Sequence, residues 1–218
     1  MIKGVIFDFN GVLWWDGELQ NKSWKEFSEK LRGTPLTDEE MSVHVHGRPN
    51  SYTVEYLLGK KYDGDLKELI QQKESAYREM CLAQGENFTL SPGAVELFNK
   101  LKSENVPFTI ATASEKANVD FFVEKLNLGK WFDIHKIVYD DGNLPGKPAP
   151  DVYLKAAKNL ELDPKDCMVI EDAKSGLRAA FAAGIGKIVA LGPKEKHSEL
   201  ARLEGVNQVV ESLQEIHI

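Results

Sequence analysis

The sequence predicts an α/β protein. Its core is a doubly wound, Rossmann-like parallel sheet, and an all-helical segment is inserted after the first strand. Three observations predict it. Short apolar runs of strand length recur with helical patterns between them, the alternation that builds a parallel sheet. Those runs are nearly continuous in hydrophobicity, as strands covered on both faces require. One long segment, residues 16–88, carries helical periodicity and little strand signal. The expected division is therefore a core of residues 1–15 and 89–218 with a helical insert at 16–88.

The elements follow in order. Val5 to Asp8 is an apolar strand ending in a carboxylate, with a turn at Gly11. In the insert, Leu19, Trp24, Phe27 and Leu31 form one helical stripe. Thr37-Asp38-Glu39-Glu40 reads as a helix start with acids in its first turn. Val54, Leu57 and Leu58 make a short face, and Leu66, Leu69, Ile70, Lys73, Tyr77, Met80 and Cys81 continue for several turns. Ser91-Pro92-Gly93 is a turn and helix start, with proline tolerated in the first turn. Ala94, Leu97, Phe98 and Leu101 recur at helical spacing, as do Val119, Phe122, Val123 and Leu126. Phe108 to Thr112, Met168 to Glu171 and Ile188 to Leu191 are further strands. Ile137 and Val138 suggest a short one, and Val209 and Val210 a late edge strand. Leu177, Ala180, Phe181 and Ala182 precede Gly184, a helix stop.

Bulk properties exclude several functions. A chain of 218 residues with 42% hydrophobic and 28% charged residues suits a soluble globular protein. A net charge of −7 argues against non-specific nucleic-acid binding, which needs a basic face. No apolar run approaches the roughly 20 residues of a membrane helix, and no signal-peptide pattern opens the chain. The two cysteines, Cys81 and Cys167, are expected as reduced thiols of a cytoplasmic protein. A monomer or weak dimer is expected. The first strand lacks a Gly-rich dinucleotide fingerprint, which disfavours hydride transfer.

In open α/β sheets, ligands bind at the carboxyl ends of strands, so Asp8 is placed to act. Thr112 ends another strand, or caps the helix after it. Lys147 lies in Gly146-Lys147-Pro148-Ala149-Pro150-Asp151, where glycine and two prolines suggest a fixed position rather than a solvated charge. Glu171 and Asp172 end a third strand. They either hold a divalent cation, which takes oxygen ligands, or cap the helix beginning near Ser175.

Together these segments resemble the haloacid dehalogenase-like hydrolases. The matching stretches are Asp8-Phe9-Asn10-Gly11-Val12, Ile110-Ala111-Thr112-Ala113-Ser114, Gly146-Lys147-Pro148-Ala149-Pro150 and Glu171-Asp172-Ala173-Lys174-Ser175-Gly176. The lysine loop is similar to that of the β-phosphoglucomutase and sugar-phosphatase branch. The resemblance implies a helical cap over the core and a phosphoaspartate enzyme that uses Mg²⁺. Asp8 would be the nucleophile. Asp8, the Asn10 carbonyl and Asp172 would ligate the metal, with Glu171 in the outer shell. Thr112, the Ala113 backbone N–H and Lys147 would bind phosphate. The expected activity is phosphate-monoester hydrolysis of a small phosphorylated metabolite, with a sugar phosphate as the expected substrate. A phosphomutase and a catalytically weak phosphoester-binding protein are the alternatives.

The chain departs from the family pattern at two places. Asn10 stands where the phosphatases have an acid that protonates the leaving oxygen and then activates water, so turnover is expected to be impaired. Gln20 stands where the sugar phosphomutases usually have a histidine, which leaves phosphatase ahead of mutase. Within the insert, Arg48 either grips a second phosphate or carboxylate of the substrate or is a surface arginine. His44 and His46 read as solvated or helix-terminal rather than metal ligands. Either one of Trp14 and Trp15 lines the cleft between cap and core while the other points away and packs, or both pack in the core or hinge. Asp140-Asp141-Gly142-Asn143 reads as a turn, and Lys116 as part of a solvated first helical turn.

Overall fold

A computed structural model describes residues 2–46, 48–59 and 64–218. The chain divides into two compact units, one of residues 1–15 and 90–218 and the other of residues 16–89.

In chain order, β1 is Gly4–Phe7. The second unit then contributes α1 (Gly17–Arg32), α2 (Asp38–His44), α3 (Asn50–Leu58) and α4 (Leu66–Leu82). The first unit resumes with α5 (Ala94–Ser103), β2 (Phe108–Glu115), α6 (Lys116–Lys125), β3 (Val138–Asp140) and α7 (Asp151–Asn159). It ends with β4 (Cys167–Glu171), α8 (Lys174–Ala182), β5 (Lys187–Leu191), α9 (His197–Leu200) and β6 (Val206–Val210). Among the described residues the strands form one parallel sheet in the order β3-β2-β1-β4-β5-β6. That is a doubly wound sheet, and its order reverses direction between β1 and β4. The reversal opens a crevice at the carboxyl ends of those strands.

The apolar run of β1 is explained by burial on both sides. Successive side chains point to opposite faces. Phe7 meets Phe98 of α5 at 5.4 Å and Phe132 at 6.2 Å between ring centroids, edge to face. Ile6 joins the opposite core with Tyr153, Ala156, Val169, Leu177 and Ala180, so α7 and α8 cover that side.

The helical unit packs Trp24, Phe27, Leu36, Met41, Val54, Leu57 and Ile70 into its own core. Helix α2 starts as the sequence predicts. Thr37 Oγ1 accepts from the Glu40 N–H, and Glu40 Oε2 accepts from the Thr37 N–H, a reciprocal cap. Among the described residues no helix is long and apolar enough to cross a membrane.

The structure differs from the sequence reading in several details. Strand β2 runs three residues past Thr112, and Glu115 is the N-cap of α6, so Thr112 is not a helix cap. Ala173 is the N-cap of α8, with no side-chain cap, so neither Glu171 nor Asp172 caps it. Gly93, at a φ of 86°, caps α5, which leaves Pro92 outside the helix. Ile137 precedes β3, and the edge strand β6 starts three residues before Val209. Helix α7 follows the proline loop and is an element the sequence pattern does not announce. Its buried stripe of Val152, Tyr153, Ala156 and Ala157 explains it.

Candidate active site

Asp8 follows β1 directly and extends its ladder, its N–H donating to Ile170 O of β4 at 3.0 Å. A tight loop comes next. The N–H groups of Val12, Leu13 and Trp14 all turn back to Phe9 O, and the Gly11 N–H donates to Trp14 O. Gly11 has a φ of +80°, and a Cβ there would lie 2.2 Å from Asp172 Oδ2. Glycine is therefore required twice over, by its conformation and by the carboxylate pressed against it.

Lys147 points from its loop at the end of β1. Its Nζ donates to Asp8 Oδ1 at 2.7 Å and to Glu171 Oε1 at 3.4 Å. It also lies 5.0 Å from the ring centroid of Tyr153. The side chains are secluded: Asp8 is 6% exposed, Lys147 4% and Glu171 1%. Carboxylate oxygens of Asp8, Glu171 and Asp172 all lie within 4.8 Å of one another. Three acids thus cluster, and two of them pair with one lysine.

The electrostatics follow from that imbalance. Burial alone would lower the Lys147 pKa, but Asp8 and Glu171 outweigh it and hold the ammonium well above its ordinary range. Burial pushes the Glu171 carboxyl up, and Asp8 and Asp172 add to the rise against the pull of Lys147. Glu171 Oε2 is buried with no hydrogen-bond partner among the described residues. Orphaned, hard carboxylate oxygens in negative excess are the donor set that Mg²⁺ or another hard divalent cation takes. The residues present therefore fit such an ion.

Strand β2 pairs Ile110 with Phe7, so Thr112 lies two residues past that level, beside the Asp8–Gly11 loop. Thr112 is buried, and its Oγ1 accepts from the Ser114 N–H at 3.0 Å. Ser114 Oγ donates to Asn10 Oδ1 at 2.7 Å.

Asp8, Asn10, Thr112, Lys147, Glu171 and Asp172 thus meet in one unit, with Ala113 between Thr112 and Ser114. Arg48 belongs to the other unit. It is exposed, its guanidinium over Tyr52 at 5.2 Å and its Nε donating to Val43 O. Gly47 beside it lies outside the described residues. Gln20 Oε1 accepts from buried Lys73 at 3.1 Å. His44 ends α2 and stacks on Tyr56, its Nδ1 hydrogen-bonded to Tyr52 Oη. Trp14 is buried and Trp15 is 47% exposed. Lys116 pairs with Asp120 in solvent, and Asp140 and Asp141 accept from the Gly142 and Asn143 N–H groups in a turn.

Sequence reasoning missed Tyr153 and the grip of Ser114 on Asn10. The signal for Tyr153 was the apolar spacing after Pro150. That for Ser114 was its period-two relation to Thr112, readable once β2 continues.

The sequence model of the family described as haloacid dehalogenase-like hydrolase matches residues 2–184. The chain belongs to this family. It is 31% identical over 197 residues to β-phosphoglucomutase of Bacillus subtilis, covering 85% of this chain and 84% of that protein. It is 27% identical over 218 residues to hexitol phosphatase A of Escherichia coli, covering 99% and 94%. The crystal structure of a family IA, variant 3 haloacid dehalogenase-like hydrolase from Entamoeba histolytica superposes with a TM-score of 0.90. It is 40% identical and covers 100% of this chain and 96% of that one. The chain is thus an enzyme of this hydrolase family, in the branch that holds β-phosphoglucomutase and sugar phosphatases.

Proposed function

We propose that the chain is a Mg²⁺-dependent phosphate-monoester hydrolase acting on a small phosphorylated metabolite of the sugar-phosphate class, through an aspartyl phosphate on Asp8. The observation that carries this reading is the 2.7 Å contact of Lys147 with Asp8 amid three converging carboxylates. The phosphatases and the phosphoglucomutase among its relatives support the substrate class.

Asp8, the Asn10 carbonyl and Asp172 would hold the metal, with Glu171 behind them. When bound, Mg²⁺ supplies the positive charge that lets an anionic carboxylate meet an anionic phosphate. An Asp8 oxygen attacks phosphorus, the O–P bond to Asp8 forms and the ester O–P bond breaks. Lys147, Thr112 and the Ala113 N–H receive the phosphate oxygens. The leaving alkoxide needs a proton, and the water that later cleaves the aspartyl phosphate must lose one. An Asn10 carboxamide performs neither transfer near neutral pH. General acid–base help contributes about 10²–10⁴ in rate, so the second step becomes slow and the phosphoenzyme accumulates. Arg48 is proposed to bind a second anionic group of the substrate bidentately.

Gln20, committed to Lys73, offers no titratable group where the phosphomutases usually have a histidine, which favours hydrolysis. The two buried free thiols suit a reducing, cytoplasmic setting.

The test is rapid mixing with a panel of sugar phosphates and Mg²⁺, acid quench and intact-mass measurement. Phosphoprotein forms before free phosphate appears, and Asp8→Asn abolishes it. No phosphoprotein in either the parent or Asn10→Asp would overturn the proposal. Turnover that requires a hexose bisphosphate would shift it to a mutase.

A further inference from the structure

Asn50 opens α3 but does not cap it. Pro49 is the N-cap, and no side-chain hydrogen bond closes the first turn. Asparagine is a favoured capping residue, yet this one reaches 24 residues along the chain, where its Nδ2 donates to Glu74 Oε1 of α4 at 2.8 Å. Glu74 is buried, and the same oxygen accepts from buried Lys73 Nζ at 2.9 Å. Lys73 also donates to Gln20 Oε1 of α1 and lies 4.5 Å from the ring centroid of Trp24. The anchor that Asn50 takes is thus a buried ion pair fixed between α1 and α4.

Stability does not explain this anchor. Desolvating two charges costs about what their attraction returns, and an apolar pair of like volume often serves as well. The effect is geometric. Lys73 and Glu74 are neighbours in sequence and do not share a helix face, so one holds α1 and the other the start of α3.

The start of α3 carries Arg48. Pro49 joins Arg48 to Asn50 with a φ of −61° that its ring fixes. The Arg48 N–H donates to Val45 O at 2.9 Å, and its guanidinium lies 5.2 Å from the ring centroid of Tyr52 in the first turn of α3. Both ends of Arg48 are therefore set by that turn. Tyr52 and Thr53 are hydrogen-bonded to His44 of α2, at 2.8 and 2.7 Å, which ties the turn to its own flank. The Asn50 bond ties it to α4.

We propose that Asn50 is a positioning residue, held by Glu74, that sets Arg48 for a second anionic group of the substrate and so selects among sugar phosphates. The inference rests on the reading of Arg48 given above. Gripping an anion costs a long side chain its freedom, and a segment placed beforehand lowers that cost. A sugar that carries only the transferred phosphate does not use the device.

The experiment follows Asp8 phosphorylation with Mg²⁺ in single turnovers, which separate binding from transfer, against the concentration of a hexose bisphosphate and of a hexose monophosphate. Asn50→Ala keeps a good helix former at this position. Its half-saturating concentration is expected to rise about tenfold for the bisphosphate and to stay within about twofold for the monophosphate, with the maximal rate within about twofold for both. Pro49→Gly keeps the bond to Glu74 but frees Arg48 from it, and is expected to show the same selective loss. In an Arg48→Ala background, Asn50→Ala is expected to change nothing further. A merely structural asparagine would weaken both sugars alike, or add its loss to that of Arg48→Ala. Either result overturns the inference, as does parent-like behaviour of Asn50→Ala. If Asn50→Ala fails to fold, Pro49→Gly and its cycle with Arg48→Ala decide in its place. If Arg48→Ala itself spares both sugars, the reading of Arg48 fails and the inference falls with it. A selective loss in Arg48→Ala that Asn50→Ala does not share refutes the inference alone. If Asp8 is never phosphorylated, calorimetric dissociation constants of the two sugars replace the half-saturating concentrations and decide the role of Asn50.

Discussion

Ser114 holds Asn10: its hydroxyl donates to Asn10 Oδ1 at 2.7 Å, across from β2 to the loop that follows the nucleophile. The side chain at position 10 is therefore already fixed by an oxygen that a carboxylate would also present. Asn10→Asp needs no rearrangement to accept the same hydrogen bond. The substitution is expected to raise steady-state phosphate release by about 10²–10⁴, the usual worth of a positioned acid and base. Turnover with a sugar phosphate and Mg²⁺ measures it. Equal turnover in the two proteins would remove Asn10 as the cause of slow hydrolysis.

Gly176 separates helix stability from metal binding. It lies inside α8 with ordinary helical geometry, where alanine is better than glycine by about 1 kcal/mol. A Cβ at this position would lie 2.0 Å from Glu171 Oε2, the orphaned oxygen of the acidic cluster. Gly176→Ala must displace that carboxylate. The expected result is a folded protein of near-parent thermal stability with clearly weaker Mg²⁺ binding by calorimetry. Unchanged binding would show that Glu171 Oε2 has no part in holding the cation.

Lys147 is the cation that buried Asp8 and Glu171 share, with half-buried Asp172 close beside those two acids. Lys147→Met keeps most of the length of the side chain and removes its charge. Breaking a buried ion pair by removing one partner costs about 3–5 kcal/mol, because the other charge stays buried and uncompensated. The variant should be destabilised by that order in chelator, and millimolar Mg²⁺ should recover part of the loss by binding only the folded state. Urea unfolding with and without Mg²⁺ checks both halves. A loss that Mg²⁺ leaves untouched would show that no cation sits among Asp8, Glu171 and Asp172.

The sheet was legible because β1, β4 and β5 are buried on both faces and leave an uninterrupted apolar trace. The site was legible where chemistry sits at a strand end, as for Asp8 and Glu171. Two things were not. Helix α7 is only nine residues long and follows prolines, so its stripe of Val152, Tyr153, Ala156 and Ala157 was overshadowed by the loop before it. The polar extension of β2 through Ser114 and Glu115 lacks strand hydrophobicity, since those residues are only half-buried. Its strand character comes from pairing with β3, where Glu115 is in register with Asp140, and Ser114 was lost with it. Gln20 shows a further limit. Its position was readable, but its bond to Lys73 joins α1 to α4 across 53 residues.

Glu40 gives the helical unit a signed pH dependence. The Arg32 guanidinium forks onto both its oxygens, at 2.8 and 2.9 Å, and holds its carboxyl well below the ordinary value of 4.5. The Thr37 N–H and the Tyr56 hydroxyl add to this, each donating at 2.8 and 2.7 Å. A carboxyl depressed on folding stabilises the protein above its unfolded value, and the contribution fades as pH falls through the folded one. The comparison is with Glu40→Gln, which keeps an oxygen for the Thr37 cap and loses the charge. At neutral pH the parent should be the more stable. The gap should begin to close as pH drops below about 4.5 and keep shrinking into stronger acid. Thr37→Ala removes only the Oγ1 half of the reciprocal cap, since the N–H of residue 37 still donates to Glu40, and should cost about 1 kcal/mol. That loss carries no such acid dependence, because the Arg32 fork remains. Urea midpoints for the three proteins from neutral pH to about pH 3 supply the test. A parent-to-Gln gap that stays constant over that range would mean that the folded protein does not favour ionised Glu40.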